Sequence, residues 1–508
     1  MAKKVSRTRR AYINTIFGLL YELVAIVCGL ILPRLILATF GSSYNGLTSS
    51  ISQFISIIAL LKAGIGGVSR AALYKPLAEK DTETMSQIVV ATEKYLRKVA
   101  MIFLIFIFVL AAIYPLFISN EFSWGFASSL VLIISITTFG QYYFGLTYQN
   151  FLMADQKQYI VSIVEIVTLI VNTIVATVLI RLGAGIHLVK LGSAMVFILQ
   201  PIILRTYTIK KYNINLQAEP HEGLLKQKWD AIGHAIANFI NSNTDIMVLT
   251  VFTALTEVSV YTVYNYVIAN LRKVINTFVT GFGAAFGDMY ARNQTELMNE
   301  NLGIYEVIVF SLTSIAFSVT AVLICPFAVI YTHGVKDVQY YRPLFAGIMT
   351  MAGAFMCYRI PYQTIIYSIG HYKQTRNGAF AEAIINITVS VVCVIKLGLV
   401  GVAIGTLVAS AFRSFQYAFY LSQNVLRRKK SIFVGHVCIS VLEIGTIYTI
   451  SKLFVINNGI GSWLLNAFLF TMIAILMTVG LDFIFYKNET VLALEKMKKM
   501  FGNKKVQQ

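Results

Sequence analysis

The chain has 508 residues, of which 57% are hydrophobic and only 13% charged, with a formal net charge of +19. A soluble protein carries about a quarter charged residues, so the composition excludes an ordinary water-soluble fold, and a mean hydropathy of +0.70 points to a membrane. The positive balance would suit nucleic acid, but the excess sits in loops and tails where membrane topology places it, and no nucleic-acid partner is expected.

Hydropathy predicts about fourteen spans, each near the ~20 residues that cross a bilayer. They run over 12–38, 45–72, 95–118, 124–152, 159–181, 187–209, 230–254, 258–288, 303–332, 342–369, 376–397, 399–424, 432–456 and 462–486. Helices are expected because lipid cannot satisfy backbone groups, and the alternating polarity of a membrane β-barrel is missing. The basic start MAKKVSRTRR precedes a stretch too long for a signal-peptide core. No small-residue cleavage site follows, so the first helix is expected to be retained.

The segments between spans alternate in charge. One side receives the N-terminus, segments 73–94 and 210–229, the run Arg427–Lys430, and a tail with Lys496, Lys498, Lys499, Lys504 and Lys505. The other receives nearly uncharged links such as GSSYN (41–45), SNEF (119–122) and NNGIG (457–461). About 30 of the 42 Lys and Arg fall on the first side, which is therefore expected to be cytoplasmic, with both termini there.

The five cysteines (Cys28, Cys325, Cys357, Cys393, Cys438) lie in apolar stretches without paired spacing and read as small core residues. No metal site and no cofactor are expected. There is no G-x-x-x-x-G-K-[ST] phosphate loop, no H-E-x-x-H and no C-x-x-C. No inter-span segment is long enough for a soluble catalytic domain. The chain is not expected to be an enzyme, and no catalytic residue is assigned.

An internal repeat appears at an offset of about 212–216 residues. LIRLG (179–183) matches VIKLG (394–398), and Lys157-Gln158 matches Lys373-Gln374. Glu165 with Asn172 matches Glu382 with Asn386, and LYKPLAEKDTETM (73–85) matches MYARNQTELM (289–298). Their common order favours a duplicated six-helix unit, with both copies in the same orientation. The expected architecture is all-α: an N-terminal lobe over 1–215, a C-terminal lobe over 216–425, and two extra helices with a basic cytoplasmic tail over 426–508. Two such lobes around a central cavity suit a transporter that alternates its access.

A charge at the bilayer centre costs a few kcal/mol, so it normally faces a cavity or a partner. The candidates are Glu22 and Arg34 in the first span, Lys62 and Arg70 in the second, Asp245 in the seventh, and Arg272 and Lys273 in the eighth. Arg359, Glu382, Arg413 and Glu443 follow in the tenth to thirteenth. Under the repeat, Lys62 and the Arg272-Lys273 pair occupy matching positions. They read either as a two-sided basic clamp for a phosphate or pyrophosphate, as partners of Glu22 or Asp245, or as snorkelling bases. Arg70 and Arg34 lie nearer span ends, and Arg359 adds a further base. Asp245, in the polar run NFINSNTD (238–245), reads as a proton or cation site or as a partner for Arg272. Pro33 frees the carbonyl of Gly29, which marks a hinge in the first span. The glycines at 64, 66 and 67, and at 281, 283 and 287, read as hinges or as close-packing positions.

Two passages resemble a known family. They are GLTSSISQFISIIALLKAGIGGVSRAALYKPLAEKD (46–81) and TDIMVLTVFTALTEVSVYTVYNYV (244–267), the latter leading to GAAFGD (283–288). Both are similar to the Wzx-type oligosaccharide flippases, the polysaccharide-transporter branch of the multidrug/oligosaccharidyl-lipid/polysaccharide (MOP) superfamily. Where many such proteins carry an acid before the glycines of the second span, this chain has Lys62, whereas Asp245 fits the family pattern.

The resemblance implies a bacterial cytoplasmic membrane and a cargo of undecaprenyl-pyrophosphate-linked oligosaccharide repeat units, flipped to the outer leaflet for surface polysaccharide synthesis. For such an anionic headgroup the membrane potential is an expected driving force, with proton or sodium exchange through Asp245 or Glu22 as an addition and Glu382 as a further ion or charge partner. A polysaccharide polymerase and glycosyltransferases are the implied protein partners. The alternatives are a multidrug or cation antiporter, a flippase for a lipid II-type peptidoglycan precursor, and, in a different class, a membrane-embedded glycan polymerase or ligase.

Overall fold

The computed structural model describes residues 7–62, 65–220, 232–279, 282–454 and 459–502. All of its regular structure is helical, with no strand among the described residues. Contacts divide the chain into two compact units, residues 1–239 with 254–259 and residues 240–253 with 260–508.

The first helices are α1 (Arg7–Phe40), α2 (Ser42–Ile55) with a 3-10 turn over Ser56–Lys62, α3 (Ile65–Glu79) and α4 (Thr82–Phe117). Next come α5 (Trp124–Gly140), a π turn over Gln141–Gly145, α6 (Leu146–Ala154), α7 (Gln158–Arg181) and α8 (Ile186–Tyr212). The chain continues through α9 (Ile232–Phe252), α10 (Leu255–Val279), α11 (Phe282–Ala291) and α12 (Thr295–Tyr331). It ends with α13 (Pro343–Tyr358), α14 (Ile360–Ser368), α15 (Tyr372–Leu397), α16 (Leu399–Asn424), α17 (Ser431–Ser451), α18 (Ile460–Phe485) and α19 (Lys487–Gly502).

Eleven of the described helical segments are long and apolar enough to cross a membrane. The pair Ser42–Leu61 and Ile65–Glu79, bent by 47°, makes a twelfth. The remaining two predicted spans are helical as well, as α9 and α10. The described side chains of α9 make Asn243–Phe252 an apolar helix, and α10 carries Glu257, Arg272 and Lys273. Large apolar side chains such as Leu465, Phe468 and Ile484 of α18, and Ile384 and Ile395 of α15, are exposed. Hydrocarbon is the surrounding that accommodates such a surface.

The predicted loop 73–94 is mostly helix. α3 and α4 leave only Lys80 and Asp81 between them, because α4 has 36 residues. At 1.5 Å per residue it is about 54 Å long, well beyond the ~30 Å hydrocarbon core. Asp81 starts it: its carboxylate accepts the Thr84 amide at 3.0 Å and the Thr84 hydroxyl at 2.5 Å. These bonds favour the ionised form and hold the carboxyl below its usual range.

The duplication is written in the backbone. Helices commonly end on a left-handed residue, and the left-handed residues Lys80, Gln156, Gly183 and Asn213 recur as Asn293, Gly370, Gly398 and Arg427, 213 to 215 positions later. Only one of the four pairs keeps the residue type, glycine at 183 and 398; a positive φ is kept in all four.

Buried polar pairs recur too. Glu93 of α4 accepts the Tyr148 hydroxyl at 3.3 Å and pairs with Arg97 at 2.7 Å and Arg205 at 3.7 Å. Glu306 of α12 accepts the Tyr362 hydroxyl and pairs with Arg428 at 2.8 Å. Each pair ties a long helix to the short one after a break, α4 to α6 and α12 to α14. Helix contacts repeat as well. A Cβ added at Gly192 would meet Leu179 of α7, and one added at Gly405 would meet Ser390 of α15. Both glycines let consecutive helices approach closely.

Candidate functional site

The sequence places an acid, Asp245, in an apolar helix, and the fold of the second unit gives it oxygen neighbours. Asp245 is 5% exposed. One carboxylate oxygen accepts the Tyr261 hydroxyl of α10 at 2.7 Å and the Thr406 hydroxyl of α16 at 2.6 Å. The Asn386 amide of α15 donates to the same Thr406 oxygen at 3.3 Å. Asp245 Oδ1 and Asn386 Oδ1 are buried and accept no hydrogen bond from the described residues. Carboxylate, amide carbonyl and hydroxyl oxygens are the ligands that hard cations take, and the same carboxylate can take a proton.

One turn back along α15 and two turns on along α16 lies a charged hub. Glu382 pairs with Arg359 at 2.5 Å and with Arg413 at 3.5 Å. Arg413 is 2% exposed. It donates to the Thr375 carbonyl at 3.0 Å, the Gln416 side chain at 2.8 Å and the Tyr417 hydroxyl at 2.5 Å, and its guanidinium lies 3.9 Å from the Tyr417 ring centroid. Gly378 makes room: a Cβ there would collide with that guanidinium.

Arg272 of α10 is half-buried and interacts electrostatically with Arg359, Glu382 and Tyr261. No carboxylate lies within ion-pair distance of it among the described residues. This region of the second unit thus gathers three guanidiniums against two carboxylates, and Lys273 lies exposed beside Arg272.

The other predicted residues fall as follows. Lys62 ends the 3-10 turn, and its side chain lies outside the described residues. Arg34 and Glu22 are half-buried on α1. Arg70 is half-buried and donates to the Gly66 carbonyl at 3.0 Å and the Met153 sulfur at 3.5 Å. α1 is an unbroken helix through Gly29 and Pro33. The segments Ser42–Leu61 and Ile65–Glu79, on either side of the first glycine cluster, are bent by 47° relative to each other.

Sequence reasoning passed over two intramembrane charges. Glu165 of α7 served only to mark the repeat. Its carboxylate accepts amides of Gln149 at 3.4 Å and Gln200 at 3.5 Å and interacts with Glu22. Lys190 of α8, within the sixth predicted span, was not among the candidates. The missed signal is a single charge in an otherwise apolar helix, the same signal that marked Asp245.

No family model matches the chain, and no curated protein matches it. Solved structures do. The lipid II flippase MurJ, in an inward closed conformation, is similar at a TM-score of 0.71 and 18% identity, covering 94% of this chain and 99% of that one. An inward-facing multidrug resistance MATE family transporter of the MOP superfamily is similar at 0.59 and 14%, covering 84% and 96%. The Vibrio cholerae MATE transporter VcmN, in its bent form, is similar at 0.54 and 12%, covering 84% and 100%. The chain therefore has the multi-pass helical fold of these transporters.

Proposed function

We propose that this chain flips an anionic, lipid-linked glycan, the undecaprenyl-pyrophosphate-linked repeat unit, from the cytoplasmic to the outer leaflet of a bacterial membrane. The observation that carries the reading is the surplus of base over acid in the cluster of Arg272, Arg359 and Arg413 with Asp245 and Glu382, where Arg272 is unpaired by any carboxylate among the described residues. Guanidinium groups present several donors in a fixed fork that suits phosphate oxygens. A drug antiporter for cationic compounds would need the opposite balance.

Driving force does not require a nucleotide. A pyrophosphate headgroup carries about two negative charges. Moving them outward from a negative interior is favoured by ~2.3 kcal/mol per charge per 100 mV, or about 4–5 kcal/mol in all. Asp245, Asn386 and Thr406 offer a proton or sodium ion a buried oxygen site that would add to this. The lipid II-type reading shares the headgroup chemistry, and the likeness to MurJ favours it over a drug antiporter without deciding the sugar.

The test is genetic. In a strain lacking the chromosomal gene, the charge-reversed pair Lys62→Glu and Arg272→Glu is expected in the membrane at normal levels. It should cut polymer export at least about tenfold, which corresponds to ~1.4 kcal/mol, with lipid-linked intermediates accumulating. Asp245→Asn should leave any remaining export indifferent to sodium and pH. Full export by the charge-reversed protein would reject the reading.

A further inference from the structure

The first unit holds a second polar site. A cavity of about 250 Å³ opens among α1, α2, α5, α7 and α8, with Ser52, Thr137, Thr138, Asn172, Lys190 and Ser193 on its walls. No carboxylate or hydrogen-bond acceptor pairs with the Lys190 amine among the described residues. Asn172 and Ser193 are 4% and 8% exposed, yet Asn172 Oδ1 and Ser193 Oγ make no hydrogen bond to the described residues. Buried polar atoms are normally satisfied, and an unpaired charge in a span costs several kcal/mol unless something answers it.

The repeat sharpens this. Leu32, also on the cavity wall, stands 213 positions before Asp245; Asn172 stands 214 before Asn386; Ser193 stands 213 before Thr406. The cavity is therefore the first unit's counterpart of the Asp245 site. The amide and the hydroxyl are kept. The acid is replaced by Leu32, and a base, Lys190, stands where the second unit has Ala403. The same framework carries a base where the second unit carries an acid.

One ammonium answers one negative charge. A doubly charged pyrophosphate would call for several such donors. The remaining groups are hydroxyls and an amide, which both donate and accept, as sugar hydroxyls require. The volume corresponds to about eight waters at ~30 Å³ each, enough for one pyranose ring. We infer that this cavity binds a singly charged sugar of the cargo, a hexuronate whose carboxylate meets Lys190 while its hydroxyls meet Asn172, Ser193 and Thr137. The inference rests on the glycan-cargo reading and narrows it to acidic glycans.

Purified full-length protein in nanodiscs tests it without transport. Reductive methylation of Lys190, followed by peptide mass spectrometry, is run with glucuronate, glucose or pyrophosphate. Protection follows 1 + [L]/Kd, so glucuronate at ten times its Kd should slow Lys190 methylation about tenfold, with glucose and pyrophosphate leaving it within about twofold. Thermal stabilisation by glucuronate should vanish in Lys190→Gln and persist in part in Lys190→Arg.

Equal protection by glucose, none by glucuronate, or protection by pyrophosphate alone each overturns the assignment; so does a Lys190 that the reagent never reaches, since the cavity would then be closed to solutes. A protein that exports glycan but shows no glucuronate protection loses this site alone. A protein that binds glucuronate but leaves lipid-linked intermediates unaffected on deletion loses the flippase reading instead.

Discussion

Replacing Glu382 with Gln keeps its shape and removes the charge that two guanidiniums share. Glu382 is 5% exposed, with Arg359 at 2.5 Å and Arg413 at 3.5 Å. Removing one member of a buried ion pair costs about 3–5 kcal/mol, because the partner stays buried without a counter-charge. Arg413 keeps its bonds to Thr375, Gln416 and Tyr417. Bonds to a charged group are worth about 1.5–3 kcal/mol each, so Arg413 remains anchored and the expected loss sits at the low end, about 3 kcal/mol.

The shorter contact places most of that loss at Arg359. In an Arg359→Met background the same Glu382→Gln change should therefore cost about 1 kcal/mol, giving a coupling energy of about 2 kcal/mol, within the range seen for touching residues. Reversible unfolding of the four proteins in mixed micelles, titrated with SDS, measures all of these. A single-variant loss below about 1 kcal/mol, the level of a solvent-exposed pair, or strict additivity of the two changes, would refute the account of the hub.

Two smaller perturbations test the packing and the capping. Gly401→Ala drives a Cβ into the backbone of Cys393 and Val394, which cannot rotate away, and should destabilise by about 1–3 kcal/mol or more. Gly192→Ala meets the movable Leu179 methyl at 2.7 Å and should be clearly milder; parallel thermal melts that reverse this order would contradict the close-packing argument. Asp81 has a carboxyl held below its ordinary value of 3.8 by the Thr84 bonds. Its cap on α4 is therefore complete above that value and fades as pH falls through the lower folded one. Hydrogen exchange of the first α4 amides, corrected for intrinsic rate, should show this acid dependence in the native chain and lose it in Asp81→Ala.

Much of this was legible in the sequence, for a physical reason. Lipid forces backbone satisfaction within each segment, so hydropathy locates helices without knowledge of tertiary contacts. Each of the fourteen predicted spans is largely helical over its described residues, and the offset read from KQ and LG pairs is the one that the positive-φ residues obey. Legibility failed where a helix outlives its apolar stretch. The stretch 73–94 read as a loop because it is charged, but Asp81 caps a helix that simply continues into water. It failed again at single charges. Glu306 and Glu93 look like span-end acids in sequence, and only the tyrosines and arginines brought to them by distant segments show that they are buried.

The buried partners of the first unit have a consequence for biosynthesis. Asp155 meets Arg10 at 3.5 Å and Lys157 at 2.7 Å, and Glu93 meets Arg97 and Arg205; none of these groups waits for a residue beyond Tyr212, whose hydroxyl bonds both Asp155 and Lys157. At about 5–20 residues per second of synthesis, the ribosome is still occupied for roughly 15–60 s after the last of them has been made. The first half can close every one of these polar contacts during that interval, before synthesis of the second half is complete.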